Sequence, residues 1–316
     1  MNPIRQLPWL LGAVVFILGM QVLQPHSRPE VPKAKIIVGV LEDVPGAYAG
    51  QSDFRVVRAV FQKVGDDWKP FPNDCRDTDC LTAVTRSYPA EVTWTIAFDG
   101  RNLGRVRATT PKSFEFYSSI GFEDIVSKTP VPTIGKRSME YSGFLESPVY
   151  RPLIAVSQPN FQDPQQWKRI TIQPEVAMSL RQEFRNRFPN VSNCRNPDEN
   201  SLRPWPYTDV DVKFRKAYRS NDNKIVSSVQ LDPWRCDGPV DAPGDNGGPF
   251  DLQWFLVNPG GKTSFVGSGM WLLDAGDYDA DGKSELIFVI DGYDLGGYEI
   301  FYDDFAKHAV FNFSYH

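Results

Sequence analysis

From Lys35 to the C-terminus, apolar residues come in short bursts rich in Val, Ile, Phe and Trp, separated by Gly, Pro, Asp and Asn. This pattern limits the possible folds more than any other feature. A side-chain period of two, broken by turn residues, is what half-buried strands require and what a helix cannot use. Ile36–Leu41, Phe54–Phe61, Trp68–Phe71 and Glu91–Phe98 read as strands in this way, and Asp99-Gly100 is a hairpin turn leading into Arg105–Thr109. Further strands are expected at Arg151–Val156, Asp209–Phe214, Lys224–Leu231, Asp251–Val257, Thr263–Val266, Trp271–Asp274, Glu285–Ile290 and Gly297–Tyr302. One helix is expected over Pro174–Phe188. Pro174 suits the first turn, Val176, Leu180, Phe184 and Phe188 recur every four residues, and Pro189 stops it.

Many short strands point to a mostly β fold. The expected architecture is an irregular β-propeller of about five blades, since a blade takes roughly 40–50 residues. The alternative is a β-sandwich or two packed β domains. The 26 Pro and 24 Gly agree with a turn-rich chain, and 41% hydrophobic residues among 316 are enough to bury a core. The formal net charge is −5 and no basic patch is visible, so nucleic acid is excluded as a partner.

Arg5 followed by the apolar run Leu7–Leu23 has the layout of an export signal. Residues 1–24 are read as a signal peptide or an N-terminal membrane anchor, both readings staying open, and 25–34 as a Pro-bearing linker. The β-rich domain then spans 35–316. The chain is placed as secreted, periplasmic or membrane-anchored on the extracytoplasmic side, touching membrane only through this segment. Four cysteines, Cys75, Cys80, Cys194 and Cys236, fit disulfides in such a compartment. Zinc ligation is the weaker reading, because CxxC spacing is missing and the three histidines, at 26, 308 and 316, lie elsewhere.

The most specific signal is Asp277-Tyr278-Asp279-Ala280-Asp281-Gly282-Lys283-Ser284-Glu285. Calcium takes six to eight hard oxygen ligands. Asp277, Asp279 and Asp281 set carboxylates at alternate positions of a tight turn, Gly282 allows a left-handed backbone, Lys283 offers its carbonyl oxygen, and Glu285 adds a fourth carboxylate. An EF-hand is excluded: its twelfth position, counted from Asp277, is Phe288, and the flanks read as strands. The loop resembles those of FG-GAP or VCBS-type repeats in integrin-α-like β-propellers, where D-x-D-x-D-G-x-x-D/E joins two strands. The resemblance covers Ala275–Ile290 and implies Ca²⁺ as the bound ion. Asp241–Gly248 is acidic and turn-rich but lacks the alternation.

Catalytic patterns are scarce. No G-x-S-x-G occurs, His308 and His316 read as packed or surface residues, and the scattered tryptophans read as core anchors. The functional expectation is an exported calcium-binding β-propeller-like protein that binds protein or glycan, or serves structurally, with no catalytic residues assigned. An extracellular polysaccharide-active hydrolase or lyase carrying a structural calcium is the alternative.

Overall fold

The computed structural model describes residues 35–44, 54–72, 82, 86, 88, 91–109, 122–124, 131–134, 151–196, 201–232, 248–292 and 295–314. The expectations for residues 1–34, Cys75, Cys80, Cys236, the 241–247 stretch and His316 lie outside that set, as does the side chain of Cys194. Among the described residues no helix is long and apolar enough to cross a membrane. Residues from Lys35 onward cluster as one compact unit.

The fold is mostly β. The first sheet contains β1 (Ile37–Val44), β2 (Phe54–Val64), β3 (Asp67–Pro70), β4 (Glu91–Phe98), β5 (Arg101–Thr109), β6 (Phe122–Asp124) and β7 (Leu153–Val156). Its order is β3-β2-β1-β7-β4-β5, with β6 also on β2. After β8 (Lys168–Arg169) comes the helix α1 (Pro174–Arg187), then a ribbon of β9 (Val191–Asn196) and β10 (Ser201–Trp205). The second large sheet adds β11 (Val212–Arg219), β12 (Ile225–Leu231), β13 (Gln253–Val257) and β14 (Thr263–Ser268), ordered β14-β13-β12-β11-β8. The third is a meander of β15 (Met270–Gly276), β16 (Glu285–Gly292), β17 (Leu295–Tyr302) and β18 (Lys307–Ser314) in sequence order. Pairing between the described strands is antiparallel.

The third sheet is buried on both faces. Leu273, Ile287, Val289, Tyr298 and Ile300 pack into a core shared with Val38, Phe61, Trp94 and Ile154 of the first sheet. Met270, Leu272, Leu286, Phe288 and Phe301 point the other way, into a core with Val226 and Trp254 of the second sheet. This explains why Leu286-Ile287-Phe288-Val289-Ile290 is an unbroken apolar run: with protein on both sides, alternation has no polar face to serve. Trp254 joins two layers, its Nε1–H donating to the Met270 carbonyl at 2.7 Å while its ring meets Phe288 edge-on at 5.1 Å. On the far side of the second sheet, Leu180 and Phe184 of α1 pack on Ile225, Val229, Phe255 and Val257. The result is sheet on sheet on sheet on helix, an arrangement that fits the packed-sheet alternative.

Local chemistry accounts for most elements. Asp99 (φ 51°) and Gly100 (φ 69°) make the left-handed pair that a tight hairpin requires, and β4 pairs with β5 along its length. Pro174 starts α1 as expected, and the buried stripe is Ala177, Leu180 and Phe184. The strand expected at Asp209–Phe214 begins instead at Val212. The Asp211 carboxylate accepts hydrogen bonds from Thr208 N–H at 2.7 Å and Thr208 Oγ1–H at 2.8 Å, which folds 208–211 into a turn. Trp68, Trp94, Trp167 and Trp254 are buried as core anchors, whereas Trp205 and Trp271 are only partly covered.

Candidate metal centre

The acidic loop connects β15 to β16, the first two strands of the doubly buried sheet. Its backbone turns through left-handed values at Ala280 (φ 61°) and Gly282 (φ 89°). Glycine adopts this geometry freely, while at alanine it costs roughly 1–2 kcal/mol, so other contacts must hold the turn. Asp277 provides two of them. Its Oδ1 accepts from Asp281 N–H at 3.0 Å and its Oδ2 from Gly282 N–H at 2.9 Å. Asp279 Oδ1 also accepts from Asp281 N–H, at 3.2 Å, and Glu285 Oε2 accepts from Tyr278 N–H at 2.7 Å.

Folding brings Asp277, Asp279 and Glu285 together, with one carboxylate oxygen from each lying within 4.8 Å of the others. Oxygens bound to a single calcium at about 2.3–2.6 Å can be no further apart than roughly twice that distance, so the three carboxylates fit one ion. Asp277 and Glu285 are buried. Asp281 is exposed and turns its Oδ1 to Lys283 N–H at 2.8 Å, while the Lys283 ammonium pairs with Asp303 Oδ1 at 3.0 Å. Asp281 therefore shapes the turn and stands outside the three-carboxylate cluster.

The electrostatics of the cluster favour a cation. Burial, reinforced by the charges of Asp279, Asp277 and Asp281, raises the Glu285 carboxyl to about 9. Burial also raises Asp277, against the pull of the Gly282 and Asp281 amides. Asp277 and Glu285 thus resist ionising in this buried acidic setting, and a divalent ion among the carboxylates would remove the resistance.

Several residues that local sequence did not single out brace the loop. Asp277 N–H donates to the Gln162 carbonyl at 2.9 Å, and Ser284 Oγ–H donates to Asp163 Oδ1 at 2.5 Å. Asp163 in turn accepts from Gln166 N–H at 2.9 Å and Trp167 N–H at 2.7 Å, which stiffens the brace. Phe161 stacks on the buried Tyr278 ring at 5.7 Å. Asp163-Pro164 was the available signal, an Asx-type turn beside an aromatic, but its partner across the fold could not be read. From the first sheet, Lys63 of β2 forms an ion pair with Asp279.

Gly276 closes the last strand residue against this brace. A Cβ there would come within 2.2 Å of Phe161 Cε2 and 2.4 Å of Cζ. Gly276→Ala is expected to destabilise the protein by about 1–3 kcal/mol, the range for overpacking. Urea unfolding measures it; an unchanged midpoint would show that Phe161 moves aside at no cost.

No family model matches this chain, nor does any curated protein or solved structure to which it was compared.

Proposed function

We propose that the chain is an exported, calcium-binding β protein acting as a protein- or glycan-binding or structural module, with the ion fastening the central sheet. The observation that carries this reading is the convergence of Asp277, Asp279 and Glu285 on one buried point in a loop between two core strands. The donors are all carboxylate oxygens, hard ligands that suit calcium better than the softer metals taken by Cys or His. Asp277, Asp279 and Glu285 would hold the ion, with the Lys283 carbonyl as a further expected oxygen donor, while Asp281, expected from the sequence as a ligand, lies outside the cluster and shapes the turn. Its contribution there is charge neutralisation and cross-linking of β15 to β16.

Support for an FG-GAP or VCBS-type relationship comes from the surroundings of the loop. The loop joins the first two strands of a four-stranded sequential meander, the strand order of one propeller blade. We take β15–β18 as the blade-like unit within a stack of sheets. For ligand binding, a groove of about 340 Å³ lies between the β13–β14 and β17–β18 turns, lined by Phe265, Phe301, Phe305 and His308 together with Asp304 and Asn258. Ring faces beside hydrogen-bonding groups suit a sugar. His308 stacks on Phe301 at 5.6 Å and meets Glu299 Oε1 at 2.6 Å, which ties it to packing.

Adding about 1 mM calcium to chelated protein should stabilise it by about 1.4 kcal/mol if the dissociation constant is near ~0.1 mM, typical of extracellular modules. For a domain of this size that is a rise in melting temperature of roughly 2–3 °C. Asp279→Ala should abolish the rise, and magnesium at equal concentration should give little, since it demands a smaller octahedral shell. A wild-type melting curve indifferent to calcium would refute the proposal.

A further inference from the structure

Resting on the calcium reading above, we infer that Lys63 is a built-in competitor for the ion, holding Asp279 when calcium is scarce and giving it up when calcium binds. The Lys63 ammonium pairs with Asp279 Oδ2, and in that pair the aspartate side chain is 3% exposed and the lysine 16%. Its approach is guided: Nζ lies 5.2 Å from the Trp68 ring centroid and 5.5 Å from that of Tyr302. Cation–π attraction from two rings, one on β3 and one on β17, places the charge at the seam between the first and third sheets. The pairing is thus a feature of sheet packing, set independently of the loop's own turn.

The physical consequence follows from charge balance. Asp277, Asp279 and Glu285 crowd negative charge into a buried space, and Lys63 is an ammonium that the fold presents to it. Partial neutralisation by Lys63 lets the loop fold without a metal. It also weakens the pull of the loop on calcium, because the incoming ion must compete with an ammonium for Asp279. The arrangement holds affinity near the ~0.1 mM taken above for extracellular modules, and it makes ion occupancy felt at β2. When calcium takes Asp279, Lys63 keeps its two rings, the more distant charge of Asp303 and solvent.

The test uses the full chain with Lys63→Met, which keeps an apolar stem between Trp68 and Tyr302, and Lys63→Arg, which keeps the charge. Calcium binding by calorimetry should tighten about tenfold in Lys63→Met and stay within about twofold of wild type in Lys63→Arg. In chelator, Lys63→Met should melt below wild type. Equal or weaker calcium affinity in Lys63→Met, alongside measurable binding by wild type, would overturn the competition while sparing the calcium site. Absence of binding in both proteins would overturn the site itself. Binding by Lys63→Met alone would support the competition in its strongest form. Wild-type protein supplies a second readout: acylation of Lys63, followed by mass spectrometry, should rise severalfold on calcium saturation, and an unchanged rate would count against release.

Discussion

Asp277→Ala is expected to cost about 3–5 kcal/mol in saturating calcium and to erase the calcium-dependent rise in melting temperature. Two effects add. The substitution removes the acceptor of the Gly282 amide, at 2.9 Å, and one of the two acceptors of the Asp281 amide, at 3.0 Å, leaving that amide with Asp279 Oδ1 at 3.2 Å; a hydrogen bond to a charged group is worth roughly 1.5–3 kcal/mol, less the burial cost that raises the Asp277 carboxyl. It also removes one of three converging carboxylates, and with it the linkage contribution of the ion. In chelator the loss should shrink, because deleting one of several mutually repelling acids offsets part of the missing hydrogen bonding. Asp277→Asn provides the control, keeping one carbonyl acceptor for the turn while surrendering a charge that calcium needs. Chemical unfolding with and without calcium reads all of these. If Asp277→Ala lost the same stability in calcium and in chelator, the carboxylate would be a turn cap only, with no part in binding an ion.

The second large effect concerns pH and belongs to Asp274. This carboxyl is buried, and burial raises it to about 7. Its Oδ1 accepts from Asp99 N–H at 3.0 Å, whereas its Oδ2 has no hydrogen-bond partner. The charges that act on it are Arg151, which favours ionisation, and Asp99, which opposes it. Arg151 is engaged elsewhere, donating to the Leu273 carbonyl at 2.6 Å and lying over the Phe98 ring at 4.8 Å. The unfolded chain ionises this group near 3.8. Between that value and about 7 the folded protein holds a proton that the unfolded chain has released, so stability falls as pH rises through this window. Roughly three pH units at 1.36 kcal/mol each give an upper scale of about 4 kcal/mol. Asp274→Asn should flatten the profile and be the more stable protein at pH 8. The difference between the wild-type and Asp274→Asn profiles isolates this group, because the loop carboxylates are common to both proteins. A wild-type profile that is flat from pH 4 to 8, or an Asn variant that follows the wild-type slope, would contradict this account.

Asp274 also shows where local reading runs out. In sequence it closes an apolar run and looks like the start of the acidic loop. In the folded chain a bulge between Leu272 and Asp274 leaves the β15–β16 register one residue out of step. A bulge sets two successive residues against one partner. Leu273 thus joins the core with the first sheet, and Asp274 follows it to reach Asp99. No propensity marks that extra residue, because the choice between bulged and regular pairing is made by what each face must pack against. The strand at Val212 moved for a comparable reason: an aspartate carboxylate competed with the ladder for backbone amides and won the turn.

The sequence by itself determined the mostly β character, the helix at Pro174–Arg187 and the acidic turn with its left-handed glycine. Each of these rests on residues close together in the chain, where side-chain period, turn chemistry and alternating carboxylates act over a few bonds. Tertiary structure decided the rest: the burial of the third sheet on both faces, the brace from Phe161–Trp167, the bulge beneath Asp274, and the delivery of Lys63 to Asp279. These depend on which faces meet once strands far apart in the chain have stacked. Such meetings follow from the total apolar area and charge buried across several sheets at once, quantities that no local stretch of residues carries.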